Sequence, residues 1–142
     1  MTPSKLQVLI LCTGNSARSQ MAEGLLREIA GDRMEVYSAG SKPSVVNPLA
    51  IRAMRERGID ISQQRSKHLY EYLQKPFDYV LTVCDQAAET CPIFPGPAQR
   101  IHWSFPDPAA VDGDDAAKLN AFVQVRDDLE KTLREWLAGQ SL

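Results

Sequence analysis

Apolar residues recur along this chain in two rhythms. Leu6–Leu11 (LQVLIL) and Asp78–Val83 (DYVLTV) are short, nearly continuous apolar runs, and Met34–Ala39 (MEVYSA) alternates loosely. Such runs read as strands, and the near-continuous ones suit parallel strands covered on both faces. Arg100–Trp103 makes a fourth, shorter strand. Between the strands the spacing turns helical. Met21, Leu25, Leu26 and Ile29 predict a helix from Ser19 to Ala30, closed by Gly31-Asp32. Asn47-Pro48 opens a second helix, with Asn as the cap and Pro at the first helical position. Its core face is expected to use Leu49, Ile51, Ala53 and Met54, with Gly58 as the stop. Ile59–Ser62 reads as extended and Ser66–Gln74 as a third helix ended by Pro76. A long amphipathic helix spans Asp115–Leu137, with the stripe Leu119, Phe122, Val123, Leu129, Leu133, Trp136 and Leu137 interrupted by Arg126.

Strands alternating with helices predict an α/β fold with a parallel sheet, and right-handed crossovers leave few topologies. The 142 residues form one expected domain, 1–142, with no repeat or linker. A net charge of −2 gives no electrostatic case for nucleic acid or an acidic membrane. No run is long enough to span a bilayer, and the start lacks a signal-peptide layout, so a cytoplasmic protein is expected. Three cysteines in such a chain point to reactive or buried thiols rather than structural staples. His68 and His102 have no ligand pair near them in the sequence, so no metal site is expected and both read as surface or core residues.

The chemistry concentrates in Cys12-Thr13-Gly14-Asn15-Ser16-Ala17-Arg18-Ser19, between the first strand and the first helix. A short loop ending at a helix N-terminus can aim backbone N–H groups from Thr13 to Arg18 at one anion. Arg18 can close over that anion with a bidentate fork. Cys12 lies at the base of the cup, where amides and a guanidinium favour the thiolate, the nucleophilic form. Ser19 is placed to hydrogen-bond that thiolate, and Gly14 to supply an unusual backbone conformation. Cys84 ends the strand before it, so it shares the carboxyl edge of the sheet with Cys12 if strands one and three are neighbours. Cys91 follows after a helix-permissive AAET, in a segment that reads as a short helix or a mobile loop. Asp107, in Phe105-Pro106-Asp107-Pro108, follows the fourth strand and should face the same edge. Asp-Pro is ordinary turn chemistry, but a carboxyl over an anion cup can also protonate a leaving oxygen.

The loop resembles the Cys-x5-Arg-Ser signature of the low-molecular-weight tyrosine phosphatase fold. The longer run CTGNSARSQMAE is similar to the thioredoxin-coupled arsenate reductases built on that fold, which often have Cys where this chain has Ala17. The resemblance implies a four-stranded parallel sheet in the order 2-1-3-4 flanked by helices. It implies reduction of arsenate, with phosphate and sulfate as competing oxyanions, through a relay: Cys12 attacks arsenate, Cys84 attacks Cys12, and Cys91 attacks Cys84. The Cys84–Cys91 disulfide then goes to thioredoxin as external reductant, no cofactor is bound, and the Cys84–Pro97 loop must move to present that bond. Asp107 matches the general acid. Ala109-Ala110-Val111 after it differ from the aromatics of the phosphatases, which leaves a Cys12 phosphoenzyme tyrosine phosphatase as the alternative. Asn15, Glu23 and Ser38 match positions that in some members help hold potassium. The acidic partner expected just after Ser66 is Lys67 here, so no potassium site is expected. A monomer is expected. A non-catalytic oxyanion or redox sensor would keep the cup and thiols but have no use for Asp107. Two extra cysteines favour a protein reductant over a small thiol such as glutathione.

Overall fold

The computed structural model describes residues 5–85 and 91–140. Its elements are β1 (Leu6–Leu11), α1 (Arg18–Ala30), β2 (Met34–Ala39), α2 (Pro48–Glu56), β3 (Tyr79–Thr82), β4 (Gln99–His102) and α3 (Asp115–Ala138). The sheet order is β2-β1-β3-β4, as the resemblance implied, and every pairing is parallel. The chain leaves β1 for one neighbour and later returns to its other side. The loop after β1 therefore opens at the topological switch point, where such sheets bind ligands.

The alternation of β1 sorts its side chains between two cores. Val8 and Ile10 face the larger one with Met21 and Leu25 of α1, Met54 of α2 and Phe122, Leu129 and Leu133 of α3. Leu9 and Leu11 face a smaller one with Val80, Leu69, Phe77 and Phe94. There Phe77 packs edge-on against Phe94, with ring centroids 5.6 Å apart, and the Phe94 carbonyl accepts from Arg100 Nη2 at 2.6 Å.

The expected third helix is the main departure. Only one 3-10 turn forms, at Leu69–Tyr72, with His68 Nδ1 accepting from the Tyr70 N–H at 3.0 Å as its cap. Residues before it are held extended by a parallel bridge between His68 and Gly40, in which Gly40 N donates to Lys67 O and Leu69 N to Gly40 O. Pairing with a residue distant in sequence wins over local helical spacing. Ile59–Ser62 forms no strand either.

Helix α2 starts as predicted, with Asn47 Oδ1 accepting from Leu49 N at 2.9 Å and Pro48 at its first position. Its buried face is Ala50, Ala53 and Met54, while Leu49 and Ile51 flank it half-buried. Arg126, the polar break in the α3 stripe, donates from Nη1 to the Ala53 carbonyl at 2.7 Å. Arg57, just past α2, makes a bidentate pair with Glu130 of α3 at 2.9 and 3.0 Å. The hydrogen bonds from Arg57, with Arg134 adding to them, bring the Glu130 carboxyl from its usual 4.5 down to about 2. A carboxyl lowered on folding stabilises the fold above its unfolded value and loses that contribution as pH falls toward its folded one. The urea midpoint should therefore fall between pH 4.5 and 2. Glu130→Gln should flatten that part of the profile and cost about 1 kcal/mol at neutral pH. A variant that keeps the parent acid profile would assign the loss to other carboxyls. Among the described residues, no helix is long and apolar enough to cross a membrane.

Candidate active site

Cys12 follows β1, its N–H donating to the Ala39 carbonyl at the end of β2 at 3.3 Å, and α1 begins six residues later at Arg18. The carbonyls of the intervening loop are all turned outward. Thr13 O accepts from Lys42 N, Gly14 O from Ser66 Oγ, Asn15 O from Gln20 Nε2 and Ser16 O from Asn47 N. Across a trans peptide the N–H points opposite to the carbonyl. The N–H groups of Gly14, Asn15, Ser16 and Ala17 are thus directed away from those partners. A short loop at a helix N-terminus with its carbonyls anchored elsewhere is an arrangement that can hold an anion.

The unusual backbone conformation is at Asn15, with φ +46°, the only non-glycine residue with positive φ among the described residues. Gly14, expected to play that part, has no positive φ, and a Cβ on it would sit 3.7 Å from Ser16 Cβ in ordinary contact. Asn, with its short polar side chain, is one of the few residues that tolerates the left-handed region. Here the Asn15 side chain also fixes the network. The Lys67 backbone N–H donates to Asn15 Oδ1 at 2.8 Å, which sets the amide orientation. Asn15 Nδ2 then donates to Ser19 Oγ at 2.8 Å and Ser38 Oγ at 2.9 Å. Ser38 in turn donates to the buried Glu23 carboxylate at 2.5 Å. Ser19 Oγ, which accepts from Asn15, also lies 2.8 Å from Cys12 Sγ in a hydrogen bond that either atom can donate. Cys12 is a free thiol and buried.

Gly40 is the contribution that the sequence analysis passed over as loop. A Cβ there would lie 2.5 Å from Thr13 O, 2.7 Å from Cys12 O and 2.9 Å from Asn15 N, all backbone atoms. The end of β2 lies against the cup with no room for a side chain.

The cup is a cavity of about 220 Å³ lined by Cys12, Thr13, Gly14, Ser16, Ala17, Arg18, Asp107 and Ala109. Arg18 is buried, and its Nη1 donates to the Phe105 carbonyl at 3.1 Å, tying the guanidinium to the Asp107 loop. Asp107 caps the turn Pro108–Ala110, accepting from Ala109 N at 2.9 Å, while lining the cavity. The turn role and the place on the cup wall coexist. A larger hollow of about 700 Å³ lies on the far side of the network, lined in part by Glu23, Arg27, Arg65 and Lys67. No cysteine lines it, whereas Cys12 lines the smaller cup.

Lys67 is buried, and its ammonium lies 3.9 Å from Glu23 Oε1 while donating to the Arg65 carbonyl at 2.6 Å. Burial lowers its pKa, with Glu23 pulling the other way. Asn15 Oδ1 and Ser38 Oγ are already committed to other partners, and a cation sits beside Glu23. These residues do not fit a potassium ion.

Val83 N donates to Leu11 O at 3.0 Å, so Cys84 and Cys12 follow the ends of adjacent, paired strands. Cys84 is buried and disulfide-bonded to the half-buried Cys91, with Cα atoms 5.9 Å apart. The AAET stretch expected to be helical or loop-like falls within 86–90, outside the described residues. His102, set aside in the sequence, is brought to this pair. Its ring offers a nitrogen such that this atom and the two sulfurs all lie within 4.8 Å of one another. The register Thr82↔His102 places it there, a relation across strands that no sequence spacing records.

The profile of the low molecular weight phosphotyrosine protein phosphatase family matches residues 7–142. The arsenate reductase of Halalkalibacterium halodurans is 46% identical over 131 residues, covering 92% of this chain and 94% of that protein. The arsenate reductase of Bacillus subtilis is 44% identical over 129 residues, covering 91% and 93%. A solved arsenate reductase in the oxidized state superposes with a TM-score of 0.78 at 30% identity, covering 93% of this chain and 96% of that one. A thioredoxin-dependent arsenate reductase of Corynebacterium glutamicum superposes with a TM-score of 0.68 at 29% identity, covering 99% of this chain and 66% of that one.

Proposed function

The chain belongs to the low molecular weight phosphotyrosine protein phosphatase family, in its arsenate reductase branch, and from that premise we propose that it reduces arsenate to arsenite through a three-cysteine relay regenerated by thioredoxin. The observation that carries this reading is the pairing of a free Cys12 at the base of the cup with a Cys84–Cys91 disulfide at the adjacent strand end. That is the thiol distribution expected after a relay has run and before its reductant has acted.

The Cys12 thiolate, held by the Ser19 hydroxyl, attacks the arsenic of an arsenate bound by the loop amides and Arg18. Asp107 protonates the departing oxygen, which leaves as water. Cys84 then attacks Cys12 Sγ. A Cys12–Cys84 bond forms, the sulfur–arsenic electron pair passes to arsenic, and arsenite departs. Cys91 attacks Cys84, Cys12 leaves as thiolate, and the disulfide moves to Cys84–Cys91. A thioredoxin dithiol returns that pair to thiols. The protein acts in the cytoplasm as a monomer, with no bound cofactor. The C. glutamicum neighbour, described as thioredoxin-dependent, supports the choice of reductant. Ala109 lines the cup where an aromatic residue would frame a phenolic substrate, which weighs against a tyrosine phosphatase.

The test is NADPH consumption with arsenate, thioredoxin and thioredoxin reductase, run beside hydrolysis of an aryl phosphate. Steady NADPH consumption is expected. Aryl phosphate hydrolysis without NADPH consumption would replace the reductase by a phosphatase. Arsenate turnover with glutathione but not thioredoxin would keep the reduction and remove the thioredoxin step.

A further inference from the structure

His102 has no part in the relay as written, yet the fold sets its ring against the disulfide. One ring nitrogen and both sulfurs, Cys84 Sγ and Cys91 Sγ, lie within 4.8 Å of one another. The ring is held at both nitrogens by hydroxyls, Thr82 Oγ1 at Nδ1 (2.6 Å) and Ser104 Oγ at Nε2 (2.9 Å). A hydroxyl can donate or accept, so this clamp suits the ring in its neutral and its protonated state alike. A clamp of that kind keeps the ring in place while its charge changes.

The two sulfurs differ in access. Cys84 is fully buried and Cys91 only partly so. An external thiolate therefore attacks Cys91, and the negative charge appears on Cys84, the sulfur farther from water. A buried thiolate with no cation or proton donor near it is a costly leaving group.

Resting on the relay proposed above, we infer that His102 is the charge partner of the Cys84–Cys91 pair. In the reductive step a thiolate of the external dithiol bonds to Cys91 Sγ and the Cys84–Cys91 bond breaks. Its electron pair goes to Cys84 Sγ, where the positive charge of the His102 imidazolium stabilises the thiolate until solvent supplies its proton. The second thiol of the reductant then displaces Cys91 and closes the reductant's own disulfide. The protein pair gains two electrons and two protons, one from the reductant's second thiol and one from solvent, while His102 keeps its own.

Several charged or titratable groups lie on the elements around the ring. Cys84 and Asp85 follow β3, Cys91 leads toward β4, and Asp107 lies in the loop after β4. Arg100, two positions earlier on the same face of β4, is turned to the Phe94 and Gly96 carbonyls. Glu89 lies outside the described residues. Carboxylates and guanidiniums as classes keep their charge between about pH 6.5 and 8.5, whereas an imidazole does not, so a profile over that window reads the ring and the thiols.

The experiment is reduction of the Cys84–Cys91 disulfide by dithiothreitol, followed as a rate against pH for the full chain, His102→Gln and His102→Lys. It needs no arsenate, and arsenate turnover of the parent protein, measured separately, reports on the relay itself. His102→Gln should be about tenfold slower near pH 6.5 and match the parent near pH 8.5. His102→Lys, whose charge persists across the window, should exceed the parent at the upper end. A His102→Gln rate that is unchanged, or lowered by the same factor at every pH, would overturn the inference. So would a lysine variant no faster than glutamine at the upper end.

Discussion

Gly40→Ala is expected to destabilise the protein by about 3 kcal/mol and to raise the KM for arsenate sharply. The added methyl would meet three backbone atoms of the cup, the nearest at 2.5 Å. None belongs to a side chain that can swing aside. Either the end of β2 moves away, breaking the Gly40 bonds to Lys67 and Leu69, or the loop shifts and its N–H groups lose their common aim. Gly14→Ala has room by the same measure and should cost about 1 kcal/mol or less. Urea midpoints of the two variants, with arsenate KM beside them, check the contrast. Equal midpoints would mean that the β2 end yields freely and that the cup is not braced by it.

Cys91→Ser should abolish steady turnover while leaving about one arsenite released per chain. In the proposed relay Cys12 and Cys84 suffice for the first two-electron reduction. Without Cys91 the oxidised pair stays in the cup, where Cys12 is buried and a protein reductant has poor access. A single-turnover assay with mass analysis of the trapped Cys12–Cys84 disulfide tests this. Repeated turnover by the serine variant at the parent rate would remove Cys91 from the mechanism, although it is bonded to Cys84 in this structure. Cys12→Ser should release no arsenite at all.

The strands and the loop that forms the cup were legible in local pattern, while the sheet order came from the family resemblance. β1 and β2 begin and end where the apolar runs do, and Asn47-Pro48 announces α2 by its capping chemistry. The Cys12–Ser19 contact was legible too, since the two residues flank one short loop. What failed depends on partners distant in sequence. The 66–68 stretch looks helical until Gly40 pairs with it. Gly40 looks like loop until the Cys12 carbonyl is seen beside it. Asn15 carries the left-handed residue because three elements supply hydrogen-bond partners to its side chain, whereas Gly14 was favoured on backbone freedom alone. His102 was invisible for the same reason: its neighbours Cys84 and Cys91 reach it only through the β3–β4 register. One signal was present, since Asn in a tight loop tolerates the left-handed region that other residues with a Cβ resist.

The place of Phe94 in the smaller core sets a limit on how the disulfide can be delivered. Val83 is pinned to β1, and Phe94 is buried against Phe77 with its carbonyl held by Arg100. Between these two posts run residues 84–93, and the chain beyond Phe94 is not free to follow them. These posts lie within and at the edge of the Cys84–Pro97 stretch expected to move. At about 3.5 Å per residue the contour length between them is about 35 Å, and with both ends fixed no point on it can stray more than about half of that. In the proposed relay, the reductant meets the pair within that reach of the two posts, so the docking surface lies on the sheet edge around β3 and β4 rather than at a distant face.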